Sequence, residues 1–119
     1  MEFLFTFISV LDEILNEMEV REKYFTENQE KLARYGKALG HPVRIFILDY
    51  LDVNNSKCCY SGDMAQVLPI ARSTLSEHLN ELKRAGLIQG EINAPYIKYC
   101  INRENWEEAK RLFSGFFGR

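Results

Sequence analysis

ARSTLSEHLNELKRAGLI, residues 71–88, is the stretch from which the rest of the chain can be read. Leu75, Leu79 and Leu82 recur at intervals of four and three, which sets them on one face of an α-helix. Arg72, Ser73, Thr74, Ser76, Glu77 and His78 fill the first two turns off that stripe, and all can donate or accept hydrogen bonds. Gly86 after Ala85 supplies a helix end, so the spacing predicts a helix over 71–85. Just upstream, SGDMAQVL (61–68) reads as a short helix capped by Ser61 or Asp63 and stopped by Pro69. Two helices joined by a tight turn make a helix-turn-helix over 61–85.

Outward from this pair, KALGHPVRIFILDYL (37–51) is punctuated by Gly40 and Pro42. A helix is expected to start near Pro42, where the missing amide costs nothing, and Val43, Ile45, Phe46, Leu48 and Leu51 make it largely buried. DVNNSK (52–57) is rich in turn formers and reads as a loop. Downstream, LIQGEI (87–92) and YIKYCI (96–101) flank Asn93, Ala94 and Pro95, the pattern of a hairpin with a three-residue loop. In its second strand Ile97, Tyr99 and Ile101 alternate with Tyr96, Lys98 and Cys100. A hairpin directly after the second helix of such a pair makes a wing, here 87–101. A last helix from near Asn102 sets Trp106, Ala109, Leu112, Phe113, Phe116 and Phe117 on one stripe.

At the other end, Leu4, Phe7, Ile8, Leu11, Ile14, Leu15 and Met18 keep helical spacing. The pattern resumes through Tyr24, Phe25, Leu32 and Tyr35 and stops near Gly36, as two helices or one bent one. So broad an apolar stripe needs a partner surface. The opening MEFLFTFISVLDEIL is a poor signal peptide, with no basic start, Glu2 inside it, and Asp12 and Glu13 cutting it short. It is also too short and too charged to span a bilayer, so no membrane partner is expected and the cytoplasm is the default compartment. There Cys58, Cys59 and Cys100 are expected as reduced thiols.

The 119 residues suit one domain, 1–119, which gains from extra burial against a second subunit. The formal net charge is −2, so there is no global basic signal for nucleic acid. Residues 36–103, however, carry more bases than acids, so a phosphate-facing surface has to be a local patch in mid-chain. An enzyme is not expected. There is no glycine-rich phosphate loop and no nucleophile elbow, and Ser76 and His78, two apart on a helix, point in different directions.

These blocks resemble the ArsR/SmtB family of winged-helix repressors. Gly40, Pro42 and Arg44 match the family's opening block, and Ser76, His78, Leu79, Leu82, Ala85, Gly86 and Leu87 match its recognition helix. The resemblance spans about residues 30–113. It implies a mainly α fold with a β-hairpin wing, dimeric through the terminal helices (1–35 and 102–119), with one recognition helix per subunit entering the major groove of operator DNA. Arg72 is then the candidate for a guanine contact, with Ser73, Thr74, Ser76 and Glu77 beside it on bases or phosphates. Lys83 and Arg84, further along, suit phosphates, and Asn93, Tyr96 and Lys98 would carry the wing's contact. His78 is open between a DNA contact and a packing role at the helix–wing junction, and His41 reads as structural.

Members of this family usually release DNA on binding a metal ion, metalloid or other inducer. One family site uses two cysteines just before an Asp, and here Tyr60 and Gly62 stand at those positions before Asp63. Another uses His and carboxylates on the last helix, but residues 102–119 contain no His. No cofactor is therefore required. The thiols left are Cys58 and Cys59, with Cys100 as a third ligand if the fold brings it near; together they suit a soft inducer such as trivalent arsenic. Thiol redox sensing, an organic inducer between the terminal helices, half-buried cysteines with no ligand, and a winged helix that binds protein instead of DNA are the alternatives.

Overall fold

The computed structural model describes residues 2–53 and 57–119. Part of the 52–57 loop therefore lies outside the described residues. The elements run α1 (Glu2–Tyr24), α2 (Glu27–Ala38), α3 (Pro42–Val53), β1 (Cys58–Tyr60), α4 (Ser61–Val67), α5 (Arg72–Ala85), β2 (Ile88–Asn93), β3 (Tyr96–Ile101) and α6 (Arg103–Phe117). The chain divides into two compact units, Met1–Lys31 and Leu32–Arg119, where the sequence reading drew one domain.

In the first unit, the helical spacing of residues 4–18 becomes α1, a helix of 23 residues that buries none of them. Its apolar positions, Leu4, Phe7, Leu11 and Leu15 among them, are exposed. The next helix begins at a reciprocal cap: the Gln29 amide donates to Thr26 Oγ1 (3.1 Å) and the Thr26 amide to Gln29 Oε1 (2.9 Å).

The second unit is built on α5. Leu75, Leu79 and Leu82 are at most 3% exposed and form a core with Tyr35, Ile47, Leu51, Met64, Leu87 and Ile88. α5 ends at Gly86 in the left-handed conformation (φ 87°), its amide donating to the Lys83 carbonyl at 3.0 Å. α6 locks that corner, because Asn105 Nδ2 donates to the Gly86 carbonyl at 2.9 Å. α6 itself starts on Asn102, whose side chain accepts the Asn105 amide at 3.1 Å. Tyr35 on α2 donates to Glu108 Oε1 on α6 at 2.7 Å. Burial and that carboxylate raise its phenol pKa.

The structure adds one element and corrects three local expectations. Cys58–Tyr60, given no element in the sequence reading, is an edge strand, making a three-stranded antiparallel sheet in the order β1-β3-β2. α4 has Tyr60, not Ser61 or Asp63, at its N-cap, extended and without a side-chain cap, because the chain enters the helix directly from β1. The wing loop has two residues, Ala94 and Pro95, with Asn93 paired to Tyr96. The alternation in β3 fades toward the base of the wing, where Tyr99, Cys100 and Ile101 are all buried: β3 is the central strand, and α3 and α4 lie against it.

Candidate nucleic-acid interface

α5 is pinned by its leucines, so its remaining positions are fixed in space. Arg72, Ser73, Ser76 and Glu77 are exposed on its first two turns and Thr74 is half-buried. Ala71 caps the helix without a side-chain bond, which leaves the Ser73 and Thr74 hydroxyls uncommitted to capping it. Further along, Lys83 and Arg84 are exposed. Arg84 pairs with Glu81 one turn back, and the Lys83 amine lies near Gly90 on β2. At the wing tip Asn93 and Tyr96 are exposed, and half-buried Lys98 stands between Tyr60 and Glu91 in the ladder.

His78 packs on the α3 side of α5. It is half-buried against α3, its ring 4.3 Å from that of His41, and its Nδ1 lies 3.2 Å from Arg44 Nη1. Arg44 also donates from Nε to the Ala38 carbonyl (2.6 Å) and from Nη2 to the Lys37 carbonyl (3.3 Å). One guanidinium thus caps the C-terminus of α2, where a cation is favoured, and holds α5 by its histidine. Burial first, then the nearby His41 and Arg44, lower the His78 pKa, while Glu77 and Glu81 pull it up. His41 begins α3, its Nδ1 accepting the Val43 amide at 3.1 Å.

The sequence reading missed two positioning residues. Arg44 was only a motif match, because its partners are on other helices. Tyr60 was noted only for not being cysteine, yet Asn93 Nδ2 donates to its hydroxyl (3.1 Å) and its ring meets that of Tyr96 edge-on at 5.9 Å. Tyr60 therefore joins the wing to the residue that starts α4.

The cysteines fall into a different pairing from the one expected. Cys58 lies opposite Cys100 in the β1–β3 ladder, and the two form a disulfide, not reduced thiols. Successive side chains on a strand point to opposite faces, so Cys59 is turned away from that pair. It is buried, donates to the Tyr60 carbonyl at 3.3 Å and bonds the Tyr50 hydroxyl. Burial pushes its thiol pKa up despite the Tyr50 bond. Among the described residues no three His, Cys, Asp or Glu side chains converge to hold a metal ion. No helix among them is long and apolar enough to cross a membrane.

Residues 39–91 match the family described as Helix-turn-helix domain. An uncharacterized HTH-type transcriptional regulator of Methanocaldococcus jannaschii is 34% identical over 86 residues, covering 72% of this chain and 94% of the relative. The structure of an ArsR-like transcriptional regulator from Rhodococcus superposes with a TM-score of 0.63 at 25% identity, over 75% of this chain and 80% of that one. A homodimeric winged helix-turn-helix DNA-binding domain from Mycobacterium bovis, a possible ArsR-family regulator, superposes with a TM-score of 0.57 at 29% identity, over 71% of this chain and 73% of that one. With α5 and its wing in place, these matches make the chain a member of the ArsR family of winged helix-turn-helix transcriptional regulators.

Proposed function

We propose that the chain is a homodimeric repressor that binds duplex operator DNA through α5 and the wing. The observation that carries this reading is the split of α5 into a leucine face at most 3% exposed and a polar first two turns left open. Arg72 reads a base edge, and Ser73, Thr74, Ser76 and Glu77 contact bases or the adjoining phosphates. Lys83 and Arg84 sit where phosphates pass, and Asn93, Tyr96 and Lys98 bring the wing to the backbone. His78 acts indirectly, by holding α5 through Arg44. The exposed apolar face of α1 and, separately, exposed Phe116 and Phe117 on α6 are each open to a second copy, in keeping with the homodimeric relative.

The releasing effector belongs to thiol chemistry. A trivalent arsenical is proposed at the reduced Cys58–Cys100 pair, where two thiols face each other, and not at Cys58 and Cys59, which do not.

The test is a binding titration of the reduced chain on duplex DNA from upstream of its own gene, across a salt series. Each phosphate contact steepens the fall of log affinity with log salt by about 0.9. Binding with such a slope, lost selectively for the operator in Arg72→Ala, is the expected result. No salt-sensitive binding to this duplex or to a pool of random duplexes overturns the reading and favours a protein-binding face.

A further inference from the structure

We propose that the wing meets DNA through an apolar face and not through charge: Ile92, with Ile97 behind it, enters the minor groove beside α5 and wedges a base step open. This deepens the repressor reading above and rests on it. The hairpin is short of cations for a nucleic-acid contact. From Ile88 to Lys98 its only charged residues are Glu91 and Lys98, and these stand opposite each other in the β2–β3 ladder. What the tip presents to solvent is isoleucine. Ile92 is 86% exposed and its cross-strand partner Ile97 42%.

The ladder fixes the face on which they stand. Side chains alternate along a strand, so Ile88, Gly90 and Ile92 share one face of β2, paired in turn with Ile101, Tyr99 and Ile97 on β3. At the base of the hairpin this face belongs to the core, with Ile88, Tyr99 and Ile101 buried. Toward the tip it emerges from the core and ends in the two isoleucines. It is also the face turned to α5. A Cβ on Gly90 would lie 3.5 Å from Tyr99 Cε1, 3.6 Å from Ile97 Cγ2 and 3.8 Å from Lys83 Nζ. Ile97 and the Lys83 amine therefore converge over Gly90, and the apolar tip continues the surface that α5 presents. The opposite face is occupied in holding the hairpin, because Asn93 donates to the Tyr60 hydroxyl and the Tyr96 ring meets that of Tyr60. The tip is braced from behind while Ile92 stands free.

Size selects the occupant. The minor groove is about 6 Å wide, which excludes a two-stranded ribbon but admits one aliphatic side chain. Two isoleucines are only a small part of the roughly 800 Å² that each partner gives to a stable protein interface. Lys83, at the foot of the face, supplies the phosphate contact that brings the groove edge to it. Isoleucine is among the side chains that pry base steps apart from the minor groove, at a cost recovered through closer wrapping of the duplex. Pyrimidine–purine steps yield most easily. Ile92 thus confers a preference for a TA or CA step under the wing without hydrogen-bonding a base.

The experiment titrates the full chain on the upstream duplex across a salt series, with 2-aminopurine placed in turn at each step flanking the α5 site. Wild type, Ile92→Ala, Ile92→Leu and Lys83→Ala are compared, and equal melting temperatures exclude misfolding at these positions. Ile92→Ala should lose about tenfold in affinity, the order of one apolar side-chain burial, with the salt slope of wild type. Lys83→Ala should flatten that slope by about 0.9. On wild-type binding one flanking 2-aminopurine should brighten as it unstacks; Ile92→Leu should keep the signal and Ile92→Ala should lose it. Undiminished affinity in Ile92→Ala would overturn the proposal and leave the isoleucines to a protein partner. A loss accompanied by a flatter salt slope, or brightening that persists without Ile92, overturns it as well. Should wild type bind neither this duplex nor random duplexes, the repressor reading falls and this proposal with it. Should Arg72→Ala abolish operator binding while Ile92→Ala changes nothing, the wedge alone falls.

Discussion

Replacing Gly86 by alanine tests the corner between the recognition helix and the wing. Gly86 holds φ at 87°, and a Cβ there would lie 2.7 Å from Asn105 Nδ2, the atom that donates to the Gly86 carbonyl. Left-handed backbone costs an alanine about 1–2 kcal/mol. Displacing the Asn105 amide forfeits a hydrogen bond of roughly 1 kcal/mol. Against these, alanine narrows the unfolded ensemble and returns about 0.4–1 kcal/mol. The net loss is about 2 kcal/mol, or roughly 8 °C in melting temperature for a chain of this length. Urea unfolding of Gly86→Ala, Asn105→Ala and the double variant reads it directly. Asn105→Ala should cost about 1 kcal/mol in the wild-type background and distinctly less in the Gly86→Ala background, since the collision has gone. A Gly86→Ala protein as stable as wild type, or a cycle additive within about 0.5 kcal/mol, refutes the account.

Arg72→Ala should weaken operator binding by about 1–3 kcal/mol and leave the melting temperature almost unchanged, since the side chain is exposed; a large stability loss would mean that Arg72 is structural. Leu79→Ala, at a position 1% exposed, should destabilise the fold by about 2–5 kcal/mol in the same urea assay. Tyr35→Phe removes the bond to Glu108 and should cost about 1 kcal/mol or somewhat more, because the carboxylate keeps its charge and loses this donor. The folded-state pKa of His78 is lowered, so the unfolded chain binds its proton more readily. Stability from this group is complete above an unfolded pKa of about 6.5 and shrinks as pH falls below it. Unfolding curves between pH 8 and 5 should show that decline, and His78→Gln should flatten it, with His41 and Arg44 on the α3 side and Glu77 and Glu81 on α5 left as they are.

The helices were legible because each announces itself within a few turns. The leucine stripe of α5, the Pro42 start of α3 and the glycine after Ala85 are local signals, and the structure keeps all three. The hairpin was equally local, and only its turn was misjudged by one residue. β1 was not legible. Three residues, Cys-Cys-Tyr, are too few to show a period, and their conformation is imposed by pairing with β3 about forty residues on. The cap of α4 failed for the same reason, since the strand delivers the chain already extended at Tyr60. With β1 unseen, the cysteine pairing was out of reach: neighbours in sequence were grouped, where the strand separates them. In the interface, the exposed positions of α5 followed from the stripe, whereas the roles of Arg44 and Tyr60 depend on partners in distant elements.

The brevity of β1 makes it intolerant of length change. α4 anchors its C-terminal end, so one residue inserted between Cys58 and Cys59 would slip Cys58 a single position along the ladder. A slip of one turns a side chain to the opposite face, which would carry the Cys58 sulfur away from Cys100 and set the inserted residue in its place. Chain length through residues 58–60 is thus as much a part of the thiol pair as the cysteines are, and an aligned sequence with both cysteines but a different count there would lack the bridge.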